Sequence, residues 1–339
     1  MSFLPRLFAL GCIAQLVFIT LSAQAAPLAS AKSIVPAPTS AAAANDAAAV
    51  PVLEALGQRG SAVLRAQVLL DRARFSPGEI DARWGGNTKS AAAAFNLARK
   101  VRAGAEVNAA TWQALNVDAA PVVVPYTLTA EDLAGPFVPI PDDVADQAKL
   151  PALGFESVTE ALGEKFHVSP ALLAALNPGA KFDSAGAVVF VPNVVRPPFE
   201  RVPGMVIRIS KSQGAVEAVD GAGVVLARYP ASIGSTHDPL PLGTWTVNGV
   251  SWNPPFNYNP DLFWDAEADA KATKLAAGPN GPVGTVWIDL SKPHYGIHGT
   301  ASPSTISKGT SHGCIRLTNW DATELGQMVT PGMSAILGE

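Results

Sequence analysis

Residues 204–210 read GMVIRIS. Met205, Ile207 and Ile209 alternate with Val206, Arg208 and Ser210, and a period of two belongs to a strand with two different faces. Similar short stretches follow: GAVEAVD (214–220), VVLARYPAS (224–232), GTWTVNGV (243–250), VWIDL (286–290) and YGIHGT (295–300). Gly, Pro and Asp turns separate them. This spacing predicts a mainly-β, sandwich-like or barrel-like domain over residues 203–338. One helix closes it. It is expected to begin near Trp320 with Asn319 as its cap, and to turn Ala322, Leu325 and Val329 inward.

Toward the N-terminus the pattern changes. Arg196-Pro197-Pro198 marks a stiff boundary. Residues 151–195 predict a small α/β module. Ser157 caps a helix bearing Leu162 and Phe166, Ser169-Pro170 opens a second with Leu172, Leu173 and Leu176 inward, and Ala187–Val191 is a strand. His167 lies here and reads as a structural or surface histidine. Residues 119–150, rich in Pro, Val and acids, read as a linker. Residues 51–118 predict a small all-α module. One helix spans roughly Ser61 to Arg74 with Leu64, Val68 and Leu69 on one face. A second, capped by Asn87 or Thr88, runs to Lys100 with Ala92, Phe95 and Ala98 inward. A third, capped by Asn108, covers Ala109–Leu115.

Residues 26–50 are rich in Ala, Pro and Ser and read as a flexible tether. Residues 1–25 have Arg6, an apolar run from Leu7 to Leu21, and an Ala23-Gln24-Ala25 cleavage signal, the layout of a secretory signal peptide. The run is short for a bilayer span and Gln15 interrupts it, so no stable span is expected in the mature chain. Removing Arg6 leaves 23 basic and 28 acidic residues, a formal charge of −5. No basic run suggests nucleic acid or a polybasic membrane contact.

The chain has two cysteines, Cys12 and Cys314. Cleavage after Ala25 leaves Cys314 alone, so no intrachain disulfide is possible. A lone thiol in an oxidising compartment is either reactive, paired with another chain, or buried and inert. Its surroundings favour reactivity. Four of the five histidines lie between His237 and Cys314. A metal site fits them poorly: on a strand, His294 and His298 stand roughly 13 Å apart, too far for one ion at about 2 Å from each. No Asp or Glu lies between Gly299 and Leu317 to help. A nucleophile fits better. A free thiol is mostly protonated at neutral pH, and a histidine within reach takes its proton and returns it to a leaving group. His312 is two residues from Cys314. His298 is sixteen away, across a turn-rich loop. Amides near Gly313 and Cys314 can face a developing oxyanion.

HYGIHGT (294–300) followed by SHGCIRL (311–317) resembles the signature of the L,D-transpeptidase catalytic domain family. The likeness extends through PASIGSTHDPLPLGTWTV (230–247) and LTNWDATEL (317–325). Carried over, Cys314 is the nucleophile and His298 the general base and acid. The carbonyl of Gly299 fixes the histidine tautomer, and His312 supports the cysteine loop. Gly313 and Cys314 supply oxyanion donors. Arg316 and Ser311 contact substrate, and His294 and Tyr295 line the site. His237 is a surface or cleft residue. The resemblance implies no cofactor and no metal.

Residues 51–118 resemble the three-helix peptidoglycan-binding module, on Leu64, Leu69, Phe75, Gly78, Ile80, Asp81, Trp84, Gly85, Asn87, Thr88 and Phe95. Ala82 stands where that family usually has glycine. Residues 156–193 resemble a lysin-motif repeat, which binds N-acetylated glycan. The implied partners are peptidoglycan stem peptides and glycan strands, with an outer-membrane protein as a further acyl acceptor, in the periplasm or cell wall. The implied reaction is attack by Cys314 on the stem tetrapeptide at its third residue, release of D-Ala, and transfer of the acyl group to an amine. Two rivals stay open: a cysteine carboxypeptidase or amidase that uses water, and a non-catalytic wall-binding protein. A thiolate generated by His298 would be expected to react with iodoacetamide faster near neutrality than an ordinary thiol does.

Overall fold

The computed structural model describes residues 39–264, 266, 270–309 and 313–339. The signal peptide expected at 1–25 lies outside the described residues, as do Ser311 and His312. The first elements are helices: α1 (Ala41–Asn45), α2 (Ser61–Arg72), α3 (Gly86–Ala98) and α4 (Ala109–Leu115). Leu64, Val68 and Leu69 of α2 and Ala92 and Phe95 of α3 are buried with Phe75, Trp84 and Trp112. Phe75 meets Phe95 edge-on at 5.6 Å between ring centroids, a favoured aromatic geometry. Asn108 caps α4 through the amides of Ala110 and Thr111.

Three details differ from expectation. Residues 39–50, expected as tether, are partly docked. Ser40 caps α1, Ala44 is fully buried, and Asn45 accepts from the amides of Val122 and Val123. Short alanine side chains let this helix sit close to its neighbours. The α3 helix starts at Gly86 with Gly85 as its cap, not at Asn87 or Thr88. Those two side chains have tertiary partners instead: Thr88 Oγ1 accepts from Gln67 at 3.1 Å, and Asn87 donates to the Ile306 carbonyl at 3.1 Å. Ala82 has a φ of +56°. This is the left-handed region that glycine occupies without steric cost, so the alanine holds a backbone shape that would suit a glycine better.

Next come β1 (Val123–Thr127), α5 (Val144–Gln147), α6 (Val158–Lys165), α7 (Pro170–Leu176) and β2 (Val188–Pro192). Strands β1 and β2 pair antiparallel from Val123↔Pro192 to Thr127↔Val188. The stretch 119–150, expected as a linker, therefore supplies the first strand of a β-α-α-β unit, with a long excursion before α6. Its Pro and Val content reads as a linker, yet Pro125 lies within a two-stranded ribbon, where a proline costs little.

The C-terminal strands are β3 (Val206–Ser210), β4 (Ala215–Val219), β5 (Val225–Pro230), β6 (Ser232–Ile233), β7 (Gly243–Trp252), β8 (Phe256–Tyr258), β9 (Thr273–Leu275), β10 (Val286–Leu290), β11 (Gly296–His298) and β12 (Ile315–Arg316). Helix α8 (Asn319–Met328) and β13 (Ser334–Gly338) end the chain. Nine strands bond in the order β5-β4-β3-β13-β7-β10-β11-β12-β6. The halves are not separately bonded sheets: β7 pairs with β13 through residues 243–246 and with β10 through 247–252. The alternation in GMVIRIS holds, with Ile207 and Ile209 fully buried. Ala322 and Leu325 of α8 are buried, but the cap is Thr318, whose hydroxyl accepts from the Asp321 amide. Asn319 is the first helical residue, and its side chain is free for other work. Among the described residues no helix is long and apolar enough to cross a membrane.

The three segments pack together within one unit, residues 36–339. Ser76 N donates to Arg228 O, and Arg228 N to Arg74 O, both at 2.8 Å. Arg196 joins Asp71 of α2 (2.9 Å) to Glu324 of α8 (2.7 Å). His167 stacks on Trp320 at 5.0 Å and 9°, and its Nδ1 lies 3.2 Å from Asp71. Burial pushes the Asp71 carboxyl up, but Arg196 and His167 outweigh it and hold it below its usual value.

Candidate active site

A crossover from Gly299 to Cys314 brings β12 back alongside β11. The two strands pair in parallel, Ile297 with Ile315 and His298 with Arg316. One further step in this register sets Cys314 opposite Gly296. Alternate residues share a face of a strand, so His298, Arg316 and Cys314 look to the same side. The Gly296 amide donates toward the cysteine sulfur, in keeping with that register. On the other flank of β12, Ile315 pairs with Ile233 and Arg316 with Ser232 of β6.

His298 is buried, and its Nδ1 lies 2.7 Å from the carbonyl oxygen of its neighbour Gly299. A carbonyl only accepts, so Nδ1 carries the proton and Nε2 keeps a lone pair. The imidazole stacks on the Trp287 indole at 5.7 Å and 21°. Trp287 is the partner of His298 in the antiparallel pairing of β10 with β11. Gly296 leaves room for that indole: a Cβ there would lie 2.5 Å from Trp287 Cζ2. Burial lowers the pKa of His298 to about 4, with Arg316 adding to the fall and the Gly299 carbonyl opposing it.

Cys314 is half-buried, and its Sγ lies 3.6 Å from the His294 carbonyl. Burial pushes the thiol up. The Gly296 amide and Arg316 pull it down, and Asp238 adds a smaller upward push. Both shifts favour uncharged forms, so the cysteine and histidine rest as thiol and imidazole. His294 presents that carbonyl from a left-handed backbone, φ +65°, in the turn where Tyr295 N bonds Lys292 O. Its imidazole is exposed. Gly313 has φ +97°, and the Tyr295 ring packs against it. Burial raises the Tyr295 hydroxyl, with Asp238 and Cys314 contributing. Arg316 is half-buried beside Cys314.

The structure thus gathers His298, Gly299, Gly313, Cys314, Arg316 and Tyr295 along the short parallel pair β11 and β12, with Tyr295, Gly313 and Cys314 at its N-terminal end and His298, Gly299 and Arg316 at its C-terminal end. His294 joins through its backbone. His237 stacks on Trp264 at 4.3 Å, both exposed. Sequence reading did not single out Trp287 or Asp238. Trp287 had a signal, the glycine two residues before His298. Asp238 had none: it follows β6 in a turn closed by its amide on Ser235 Oγ at 2.9 Å, and its Oδ2 is buried with no hydrogen-bond partner among the described residues. Among the described residues no three His, Cys, Asp or Glu side chains are grouped to hold a metal. A separate cavity of about 970 Å³ lies behind α8, lined by Glu164, Asn319, Trp320 and Glu324 among others.

The family profile of the L,D-transpeptidase catalytic domain (YkuD) matches residues 204–337. A Bacillus licheniformis protein carrying the name L,D-transpeptidase YkuD is 30% identical over 176 residues, which is 51% of this chain and 88% of that protein. Its Bacillus subtilis namesake is 29% identical over 174 residues, 51% of this chain and 88% of its own length. A crystal structure of an L,D-transpeptidase from Xylanimonas cellulosilytica aligns with 85% of this chain and 98% of its own, at 16% identity and TM-score 0.38.

Proposed function

The chain belongs to the L,D-transpeptidase family, and from that premise we propose that it transfers acyl groups between peptidoglycan stem peptides with Cys314 as nucleophile and His298 as base. The observation that carries this reading is the parallel pairing of β11 and β12. It lays Cys314 beside the strand of a histidine whose Nδ1 is tied to a carbonyl. Nε2 is then the basic atom on the shared face.

The neutral resting pair sets the order of events. As Sγ attacks the carbonyl carbon of the third stem residue, the thiol proton passes to His298 Nε2. The tetrahedral oxyanion is held by backbone N–H groups at Gly313 and Cys314. The intermediate collapses, the C–N bond breaks, and the imidazolium returns the proton to the departing D-Ala amine. A thioester on Cys314 remains. An acceptor amine then loses a proton to Nε2, attacks the thioester, and releases the thiol. The Arg316 charge stabilises negative charge on sulfur between these steps. Trp287 keeps the imidazole from tilting. His312 and Ser311 directly precede Gly313 and Cys314 in the sequence and complete the proposed site.

The helical segment 51–118 and the β-α-α-β segment, proposed as 151–195 and reaching back to β1, would hold wall polymer near the site and raise its local concentration. A wall substrate implies export, by the signal peptide proposed at 1–25. Incubating the full chain with disaccharide tetrapeptide tests the reaction. Cross-linked product and free D-Ala are expected from the wild type, and neither from Cys314→Ala. D-Ala without cross-links would instead mark a carboxypeptidase. A carbapenem mass adduct is expected on Cys314.

A further inference from the structure

We propose that Glu164, on helix α6 of the β-α-α-β segment, is a positioning residue for His298 and acts through Asn319. The inference rests on the transpeptidase reading of the site. Asn319 lies between the two. Its Nδ2 donates to Glu164 Oε1 at 3.2 Å and to the Pro279 carbonyl at 3.1 Å, and its Oδ1 accepts from Thr285 N at 3.2 Å. With Thr318 capping α8, these are the partners of the amide among the described residues.

That amide fills the space between two glycines. A Cβ on Gly299 would lie 2.1 Å from Asn319 Oδ1, and one on Gly284 would lie 1.9 Å from it. Gly299 is the residue whose carbonyl holds His298 Nδ1. Its own amide makes a long bond, 3.3 Å, to Val286 O. The peptide carrying the histidine's acceptor is therefore backed by a side chain whose orientation Glu164 helps to set. If the Asn319 amide turns, the surface behind Gly299 changes and the carbonyl swings off Nδ1. His298 then loses both its tautomer and its aim.

Helix α6 is held firmly enough to serve. Glu160 Oε1 accepts from Asn280 at 2.7 Å, and Asn280 also donates to Gly154 O at 2.9 Å. Leu153 exchanges backbone bonds with Ala277 and Asn280, both at 3.0 Å. Residues 277–285 thus run under α6 and into β10, next to β11. Burial raises the Glu164 carboxyl to about 8, and Glu160 and Glu79 push the same way against the Asn319 bond. Near neutrality it is largely a neutral acid whose carbonyl oxygen accepts, which glutamine reproduces.

The test measures D-Ala release from disaccharide tetrapeptide by the full chain. Glu164→Ala and Glu164→Met are expected to lose about tenfold in kcat, the scale set by misplacing a catalytic group, with KM held within about twofold. Glu164→Gln should remain within about twofold of wild type. Met fills the space without an acceptor and serves if the Ala variant does not fold. The Nδ1–H proton resonance of His298, assigned by its loss in His298→Gln, should shift in Ala and Met variants and stay in place in Gln. Unchanged kcat and resonance in Ala and Met would overturn the proposal. So would an equal loss in Gln, since the acceptor bond would then not be what matters. Failure of the transpeptidase reading is distinct: the wild type would release no D-Ala, or Cys314→Ala would match it. The resonance measurement reads positioning in either case.

Discussion

Tyr295 and Gly313 are in contact: a Cβ on Gly313 would lie 3.0 Å from Tyr295 Cε1 and 3.2 Å from its hydroxyl. The residue before the nucleophile is thus pinned by an aromatic ring as well as by its left-handed backbone. Gly313→Ala should slow carbapenem acylation of Cys314 by at least about tenfold and should also cost more than about 1 kcal/mol of stability, since the left-handed backbone suits alanine poorly. Mass spectrometry of the adduct over time, beside a urea melt, checks both. The double variant with Tyr295→Ala restores space but not the backbone, so it should recover only part of the rate.

The thiol and imidazole shifts make a pH prediction. With the Cys314 thiol raised and His298 lowered to about 4, little thiolate exists at pH 7. Iodoacetamide should label Cys314 more slowly at neutrality than it labels an ordinary thiol, and the rate should climb past pH 9. This reverses the expectation from the motif alone, because burial opposes charge on both partners. Fast labelling at pH 7 that disappears in His298→Ala would instead show a resting ion pair.

Stability should also follow His298. Its folded pKa lies below the unfolded value of 6.5, so below that value the unfolded chain binds the extra proton. Stability is complete above pH 6.5 and falls as pH drops through 6.5 toward 4, by about 3 kcal/mol in all. Urea midpoints across pH 4–7 should flatten in His298→Gln. Glu164, raised to about 8, acts in the opposite sense. It withdraws stability as pH climbs from 4.5 through 8, and Glu164→Gln should remove that slope.

Arg196→Ala should be severe. The guanidinium serves Asp71 and Glu324, whose side chains are 0% and 12% exposed. Removing it leaves buried carboxylates short of their counter-charge, a loss of about 3–5 kcal/mol. Limited proteolysis should then cut within residues 194–204, and Tm should fall. A Tm unchanged within 1 °C or so would deny the cluster that weight.

The strands of the catalytic region were legible because Ile207, Ile209 and their neighbours alternate, and a one-residue slip would expose them. The histidine and cysteine stood out together because their types and spacing are unusual, and the pairing of β11 with β12 sets them on one face. What could not be read was set by contacts distant in sequence. Asn319 has the composition of a helix cap, but Thr318 takes that position and sends the Asn319 side chain toward Glu164, 155 residues earlier. Strand β1 hid among prolines because its ribbon partner lies some sixty residues on. Trp287 reads as an ordinary strand aromatic in sequence, and its place against His298 depends on Gly296 leaving room for its ring.

Helix α8 faces both ways. Its first turn backs the histidine loop, while Asp321 accepts from Ser76 and Glu324 from Arg74, Arg196 and Tyr229. Cutting the polypeptide near residue 200 would strip Asp321 of Ser76 and Glu324 of both arginines, leaving acidic groups on a half-uncovered helix. The C-terminal β-rich domain of this chain is therefore not a cassette that can be lifted out or exchanged between relatives. Its N-terminal portions have become part of its foundations.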